Sequence, residues 1–172
     1  MTIIDCDRSY AASILAILND AIEHSTALYD YRPRPLSAMD AWFDAKERGG
    51  YPVIGAVDAD RGLIGFASYG TFRNWPAYKY SVEHSLYVDR QYRGKGVGKA
   101  LLAAILKRAT AQGYHNVIGG IDADNAVSIA LHEKFGFERC GIVRHAGFKF
   151  GRWLDLVFYQ KLLETPLDPL DG

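Results

Sequence analysis

Apolar positions recur along the chain with two periods. Between about Ser9 and Glu23, residues Ile14, Leu15, Leu18 and Ile22 fall on one stripe at helical spacing. A second stripe, Val97, Leu101, Leu102, Ile105, Leu106 and Ala109, runs up to Gly113. Each predicts an amphipathic helix laid against a core. Ser37 with Asp40 three residues on makes a capping-box-like start, and Gly49-Gly50 a stop, for a further helix presenting Trp42 and Phe43. A last helix is expected from Ala126 to Phe135, behind the cap-type residues Asp122, Asp124 and Asn125 and closed by Gly136.

Strand-like runs lie at Thr2–Ile4, Asn116–Ile121, Phe137–Val143 and Trp153–Leu163, the last two separated by a loop from Arg144 to Gly151. Tyr51–Val57 and Leu63–Tyr69 flank Asp58-Ala-Asp-Arg-Gly62, a hairpin signature. In Ser81–Val88, residues Val82, Leu86 and Val88 share a phase that Glu83-His84-Ser85 interrupts, so either exposure or a site is expected there, with a bulge. Just before it, Thr71–Tyr80 is unusually aromatic: Phe72, Trp75, Tyr78 and Tyr80, with Arg73 and Lys79 between them. It reads as an interface, a minor core or the lining of a substrate cavity. Residues 1–164 are expected to form a single domain, and 165–172, with Pro166 and Pro169, a flexible tail.

Composition narrows the function classes. The 172 residues are 49% apolar, enough for a real core. Twenty basic residues balance twenty acidic ones, which argues against a nucleic-acid binder with a broad basic face. Positive charge is local instead: Arg90, Arg93, Lys95 and Lys99 lie close together, as expected for one small polyanion. Cys6 and Cys140 match no metal or redox spacing and read as reduced structural thiols. Asp5, Asp7 and Arg8 stand where a signal peptide would be apolar, and Ala100–Leu106 is too short to span a membrane, so a soluble, cytoplasmic protein is expected.

The chemistry concentrates between Glu83 and Lys99. Gly94, Gly96 and Gly98 alternate with Lys95, Val97 and Lys99 just before a helix, an arrangement whose backbone N–H groups can turn toward one anion. A Walker loop needs a glycine where Arg93 stands and Ser or Thr where Ala100 stands; a Rossmann fingerprint needs Gly or Ala at Lys99. Both fail. The remaining pattern, Arg93-x-x-Gly96-x-Gly98, resembles the pyrophosphate loop of the GCN5-related N-acetyltransferase superfamily. Asn125-x-x-Ser128-x-x-Leu131-His132-x-Lys134-x-Gly136-Phe137 is similar to that superfamily's coenzyme A-side helix, with His132 where Tyr is usual. That His, together with Ser25-Thr26, Trp75-Pro-Ala-Tyr78, Glu83-His84-Ser85-Leu86-Tyr87-Val88, Ala146-Gly-Phe-Lys149 and Gly151-Arg-Trp-Leu-Asp155, resembles the phosphinothricin and methionine sulfone or sulfoximine acetyltransferase branch.

The resemblance implies an α/β (α+β) acetyltransferase fold: a mixed, mostly antiparallel twisted sheet of about seven strands flanked by about four helices. It implies acetyl-coenzyme A as co-substrate and acetyl transfer to the α-amine of a small amino acid analogue, directly within a ternary complex. Glu83 is then the expected base. Backbone N–H groups near Leu86, Tyr87 and Val88 would face the thioester and the pantetheine arm. Residues Arg93, Gly94, Lys95, Gly96, Val97, Gly98 and Lys99 would hold the pyrophosphate, with Asn125 and Lys134 as further cofactor contacts. His132 would relay a proton to the leaving thiolate or hydrogen-bond to it, against the alternative of packing on Phe135. The substrate would meet Tyr29, Tyr31, Arg73, Asn74, Trp75, Tyr78, Glu83, His84 and Ser85. No metal is expected, because no histidine pair or carboxylate shows ligand spacing, and Ala126 breaks an EF-hand reading. A homodimer is expected. Acetylation of a protein N-terminus or an antibiotic amine, and a non-catalytic coenzyme A sensor, are the rival readings.

Overall fold

The stripe read at Ile14, Leu15, Leu18 and Ile22 is buried in helix α1 (Ala11–His24), which also buries Ile17 and Ala21. In the computed structural model, which describes residues 1–171, the other elements are strand β1 (Thr2–Asp5), helix α2 (Ala38–Gly49), strands β2 (Val53–Asp58), β3 (Gly62–Thr71) and β4 (Ser81–Val88), helix α3 (Val97–Ala111), strand β5 (Asn116–Asp122), helix α4 (Ala126–Lys134), and strands β6 (Glu138–Lys149) and β7 (Arg152–Leu162). The strands form one mixed sheet in the order β1-β2-β3-β4-β5-β7-β6, in which β4 and β5 run parallel. Among the described residues no helix is long and apolar enough to cross a membrane. Gly172, the last residue of the expected tail, lies outside the described residues.

The chain divides into two compact units, one made of Met1–Tyr69 with Ser85–Ile105, the other of Gly70–His84 with the chain from Leu106 onward. In the first, β1, β2 and β3 pair antiparallel with a bulge between Ala56 and Val57. Ile14, Leu15, Ile17 and Leu18 of α1 join Met39 and Phe43 of α2, Val53, Phe66 and Cys6 in one apolar cluster. Burial, with Asp7 and Asp5 nearby, pushes the Cys6 thiol up to about 12, so it stays protonated and inert.

Helix α2 departs from its expected start. Ser37 is itself helical in backbone and makes no side-chain capping bond. A tight turn supplies the acceptors instead: Ala38 N–H donates to Pro35 O and Met39 N–H to Leu36 O. The expected stop holds, with Gly50 left-handed at φ 63°. Near that end the Lys46 ammonium is half-buried, donates to Tyr69 O at 2.7 Å and sits 5.2 Å from the Trp42 ring.

In the second unit β5 pairs along its whole length with β7, and β7 with β6. The expected loop from Arg144 to Gly151 is mostly strand. Strand β6 continues to Lys149 and turns through Phe150 (φ 51°) and Gly151 (φ 75°), so Lys149 faces Arg152 across a two-residue turn. Three residues, Arg144 to Ala146, are accommodated opposite Asp155 by a bulge, where His145 N–H donates to the Asp155 carboxylate at 2.8 Å. The C-terminal segment is held by Thr165, whose hydroxyl donates to Tyr114 O, and by Leu170, whose N–H donates to the Tyr80 hydroxyl.

Lys46 generates a prediction. Burial pushes its pKa down from 10.5 to about 8, so between those values the unfolded chain holds more protons than the folded one. Its charge is therefore a cost to folding at neutral pH that is relieved as pH rises. Lys46→Met should be more stable than the parent at pH 7, and urea denaturation should show that advantage shrinking toward pH 10 by up to about 3 kcal/mol.

Candidate active site

Strand β4 is where the second unit places its chemistry. Ser81, Val82 and Glu83 pair in parallel with Asn116, Val117 and Ile118 of β5, and that pairing ends at Glu83. Alternation along β4 sends Val82 and His84 to one face, both buried, and Glu83 to the other, half-buried. The interruption expected at Glu83-His84-Ser85 is therefore not a break of phase at His84, because a histidine occupies a core position in register. On Glu83's face, Gly120 of β5 is exposed and a Cβ there would stand 3.1 Å from Glu83 Oε1, 3.4 Å from Leu156 and 3.6 Å from Phe158. The missing side chain makes an open floor beside the carboxylate. Asp122, next along that face of β5, is buried and its Oδ1 accepts from Asp124 N–H at 2.8 Å.

Burial raises the Glu83 pKa above the ordinary carboxylate range, and the nearby Arg73 charge works against that rise. A carboxylate so placed is a stronger base than an exposed one. Arg73 belongs to the aromatic segment before β4, whose rings cluster: Phe72 and Tyr78 are edge-on at 5.8 Å, and Trp75 and Tyr78 lie 6.5 Å apart. Asn74, Trp75 and Tyr78 are exposed, so the segment is a surface and not a minor core.

On the opposite face His84 meets His132 of α4. Their Nε2 atoms are 3.0 Å apart and their rings stack at 26°. His132 Nδ1 lies 2.7 Å from Ser128 O, and Phe137 packs edge-on at 5.0 Å, in the place the alternative reading gave to Phe135. Burial, then the neighbouring His132, pushes His84 down to about 3, and burial also lowers His132 against the opposing bond to Ser128. Both rings are neutral. Each His132 nitrogen already has a partner within the chain, so the ring as folded presents neither a free proton nor a free lone pair to a third group. The expected thiolate relay through His132 would require that ring to release one of these two bonds. His84, expected among the substrate contacts, is buried with its ring against His132 of α4.

Asn125 caps α4: its Oδ1 accepts from Ser128 N–H at 3.1 Å, leaving its amide N–H groups for other work. Lys134 is exposed at the far end of that helix. Among the described residues no three His, Cys, Asp or Glu side chains converge on a metal-binding position.

The first unit carries the remaining candidates. Ser85, Leu86, Tyr87 and Val88 finish β4, with the Tyr87 ring 5.5 Å from Phe66. Asp89 caps a one-turn helix at Arg90–Tyr92, and Arg93 Nε donates to Val88 O at 3.2 Å. Gly94 (φ 74°) and Gly96 (φ 83°) take the left-handed conformation with nothing within 4 Å of where a Cβ would be, while Gly98 is already helical inside α3. Arg93, Lys95 and Lys99 are exposed around this loop and Val97 is buried beneath it. Unobstructed left-handed glycines, flanking cations and a fifteen-residue helix start fit a pyrophosphate. Tyr29 is half-buried and Tyr31 is 74% exposed, on a loop tied to α1 by Asn19, which bonds both backbone groups of Arg34, and by the Asp30–Arg34 fork.

Residues 15–137 match the model of the Acetyltransferase (GNAT) family. The chain is similar to an L-methionine sulfoximine/L-methionine sulfone acetyltransferase of Pseudomonas paraeruginosa, 48% identical with 88% of each chain covered. It is similar to a phosphinothricin N-acetyltransferase of Streptomyces viridochromogenes, 34% identical over 92% of this chain and 85% of the other. A crystal structure of a phosphinothricin acetyltransferase from Sinorhizobium meliloti in complex with acetyl-coenzyme A superposes with a TM-score of 0.93 at 38% identity, covering 99% of this chain and 94% of that one.

The two adjacent glycines of β5 should respond differently to substitution. A Cβ at Gly119 would stand 3.0 Å and 3.3 Å from the Nε2 atoms of two buried rings, so Gly119→Ala should cost about 1–3 kcal/mol in urea denaturation. At Gly120 the nearest atom is the movable end of Glu83, so Gly120→Ala should fold normally yet lose roughly tenfold in kcat by displacing that carboxylate.

Proposed function

The chain belongs to the acetyltransferase (GNAT) family, and from that premise we propose that it transfers acetyl from acetyl-coenzyme A to the α-amine of a small amino acid analogue of the methionine sulfone, methionine sulfoximine or phosphinothricin kind. The observation that carries this reading is Glu83: a half-buried carboxylate of raised pKa, beside the open floor at Gly120 and within the field of Arg73. Arg73 binds the substrate carboxylate as a fork, and the exposed rings of Trp75 and Tyr78 wall the side chain, with Asn74 beside them. Tyr29, Tyr31 and Ser85 complete the substrate contacts. The loop from Arg93 to Lys99 holds the pyrophosphate, Leu86, Tyr87 and Val88 offer main-chain groups to the pantetheine arm, and the amide N–H of Asn125 and the Lys134 ammonium contact the same co-substrate.

In this mechanism the substrate ammonium gives one proton to the Glu83 carboxylate. The freed nitrogen lone pair forms a bond to the thioester carbonyl carbon, and the carbon–sulfur bond breaks. A second proton leaves the new amide nitrogen for the departing thiolate, and the third remains as the amide N–H. Protons and charge balance with one base and no covalent acyl-enzyme, in keeping with a protonated Cys6 and with Cys140 lying on β6. Residues 1–164 act as a single catalytic domain, in a cytoplasmic homodimer. The exposed Ile142, Val143, Phe148 and Trp153 of the edge hairpin β6–β7 support a second copy as partner.

Thiol release from acetyl-coenzyme A across methionine sulfone, methionine sulfoximine, phosphinothricin and ordinary amino acids tests the substrate class. Turnover with the analogues supports it, and silence with every free amino acid rejects it.

Glu83→Gln should lower kcat by roughly 100- to 10,000-fold. The raised pKa means the folded state binds the extra proton above the ordinary carboxylate range, so stability declines as pH climbs through that window and the charge is a burden at neutral pH. Glu83→Gln should therefore melt no lower than the parent at pH 7. The acid limb of kcat/KM should sit above the ordinary Glu value, and Arg73→Ala should move it higher, because removing that cation leaves burial unopposed.

A further inference from the structure

The Ser128 carbonyl can only accept a hydrogen bond, so His132 Nδ1, 2.7 Å away, carries the proton. A neutral imidazole has one N–H, which makes His132 Nε2 an acceptor. The group facing it is His84 Nε2 at 3.0 Å, so His84 is the donor and carries its proton on Nε2. His84 Nδ1 is then a bare lone pair, and it is buried without a partner. The reverse arrangement would place an N–H at that buried Nδ1 with no acceptor and would leave a lone pair of His132 against the Ser128 carbonyl. The Ser128 hydroxyl, which could donate to Nδ1, is farther away at 3.5 Å than the carbonyl at 2.7 Å, so the shorter contact and the unpartnered His84 Nδ1 together select one tautomer for each ring.

The pair is built into the sheet and into one end of α4. Gly119 leaves room for both Nε2 atoms, and Phe137 packs against both rings, 5.7 Å from His84 and 5.0 Å from His132. Ser128 is held from two sides: its N–H donates to Asn125 Oδ1 and its carbonyl accepts from His132. The chain β4, His84, His132, Ser128, Asn125 therefore runs from the strand bearing Glu83 to the cap of α4.

We propose that His84 is a positioning residue of the acyl-transfer site: by donating its Nε2–H to His132 it fixes His132 as the Nδ1–H tautomer, removes that ring from the proton traffic of the leaving thiolate, and sets the first turn of α4 with Asn125. The pair is a neutral clamp. Its kinetic consequence rests on the acetyltransferase reading, in which Asn125 contacts the co-substrate, whereas its tautomers do not.

Long-range proton–nitrogen correlation spectra of histidine-labelled protein read the tautomers directly, between about pH 6 and 8. His132 should show a protonated Nδ1 and an accepting Nε2, and His84 the opposite. His84→Gln, whose amide can donate to the same lone pair, should keep His132 in that single form with kcat and KM within about twofold of the parent. His84→Leu, which cannot donate, should give His132 mixed tautomers and raise KM for acetyl-coenzyme A by roughly fivefold or more with kcat changed by less than about threefold. His132 protonated on Nε2 in the parent would overturn the proposal. So would a His84→Leu protein with an unchanged His132 signature, or one that loses kcat at constant KM. If no amine is turned over, the acetyltransferase substrate reading fails while the spectra still decide the tautomers. If His84→Leu does not fold, the parent and His84→Gln spectra decide them.

Discussion

Two consecutive glycines on β5 are the constraint on which the second unit depends. Successive residues of a strand face opposite sides, so Gly119 and Gly120 remove a side chain from each face at the same place. On one side the gap admits two imidazole rings, whose Nε2 atoms lie 3.0 Å and 3.3 Å from where a Cβ at Gly119 would stand; on the other it leaves space next to a carboxylate. Glycine weakens a strand by roughly 0.5–1 kcal/mol per residue. Strand β5 tolerates that loss because β4 pairs with its start and β7 with its entire length. The sheet stays intact exactly where its side chains are missing, and the same backbone serves a polar core on one face and an open floor on the other.

Much of the scaffold was legible from spacing alone. The stripes predicted for α1 and α3 are buried residue for residue, and the Asp58–Gly62 turn joins two antiparallel strands. The errors have local causes. Ser37 looked like a cap, but whether a serine hydroxyl caps depends on where the preceding carbonyls point, and a turn at Pro35 and Leu36 had already taken those donors. The β6–β7 segment looked like a loop because Arg144, His145 and Gly147 break alternation. A three-residue bulge absorbs that break without ending the strand, and the Phe150-Gly151 pair was the readable turn signal.

The site was legible as residue types more than as an arrangement. Glu83, Arg73, Asn125 and His132 were all singled out, and the second unit holds all four. What spacing could not supply was pairing between distant segments. His84 and His132 are 48 positions apart, and only the parallel register of β4 on β5 together with the packing of Phe137 brings their rings face to face. A polar residue in register with Val82 was the one clue: a histidine in a buried phase needs a partner, and a second histidine on a helix was available to be one. The face each residue occupies then separates their roles, since Glu83 and His84 are neighbours in sequence but lie on opposite sides of the sheet.

Charge completes the argument for how a neutral chain can address a polyanion. With equal numbers of acidic and basic residues there is little long-range field, so attraction must come from local cations that are not neutralised where they stand. The contacts around the glycine loop have that character. Arg93 is oriented by a backbone carbonyl and Lys95 by the face of Tyr92, 4.9 Å away, and neither partner cancels a charge. Arg90, by contrast, lies 3.5 Å from Asp20 and is partly offset. The difference would matter to a pyrophosphate held there, which would have to displace whatever the cations already hold. A cation bound to a carboxylate gives up an ion pair to accept a new anion, whereas one bound to a carbonyl or an aromatic ring keeps its net attraction while its side chain is held in place. The loop thus combines preorganisation with unspent charge, and it does so without making the protein basic as a whole.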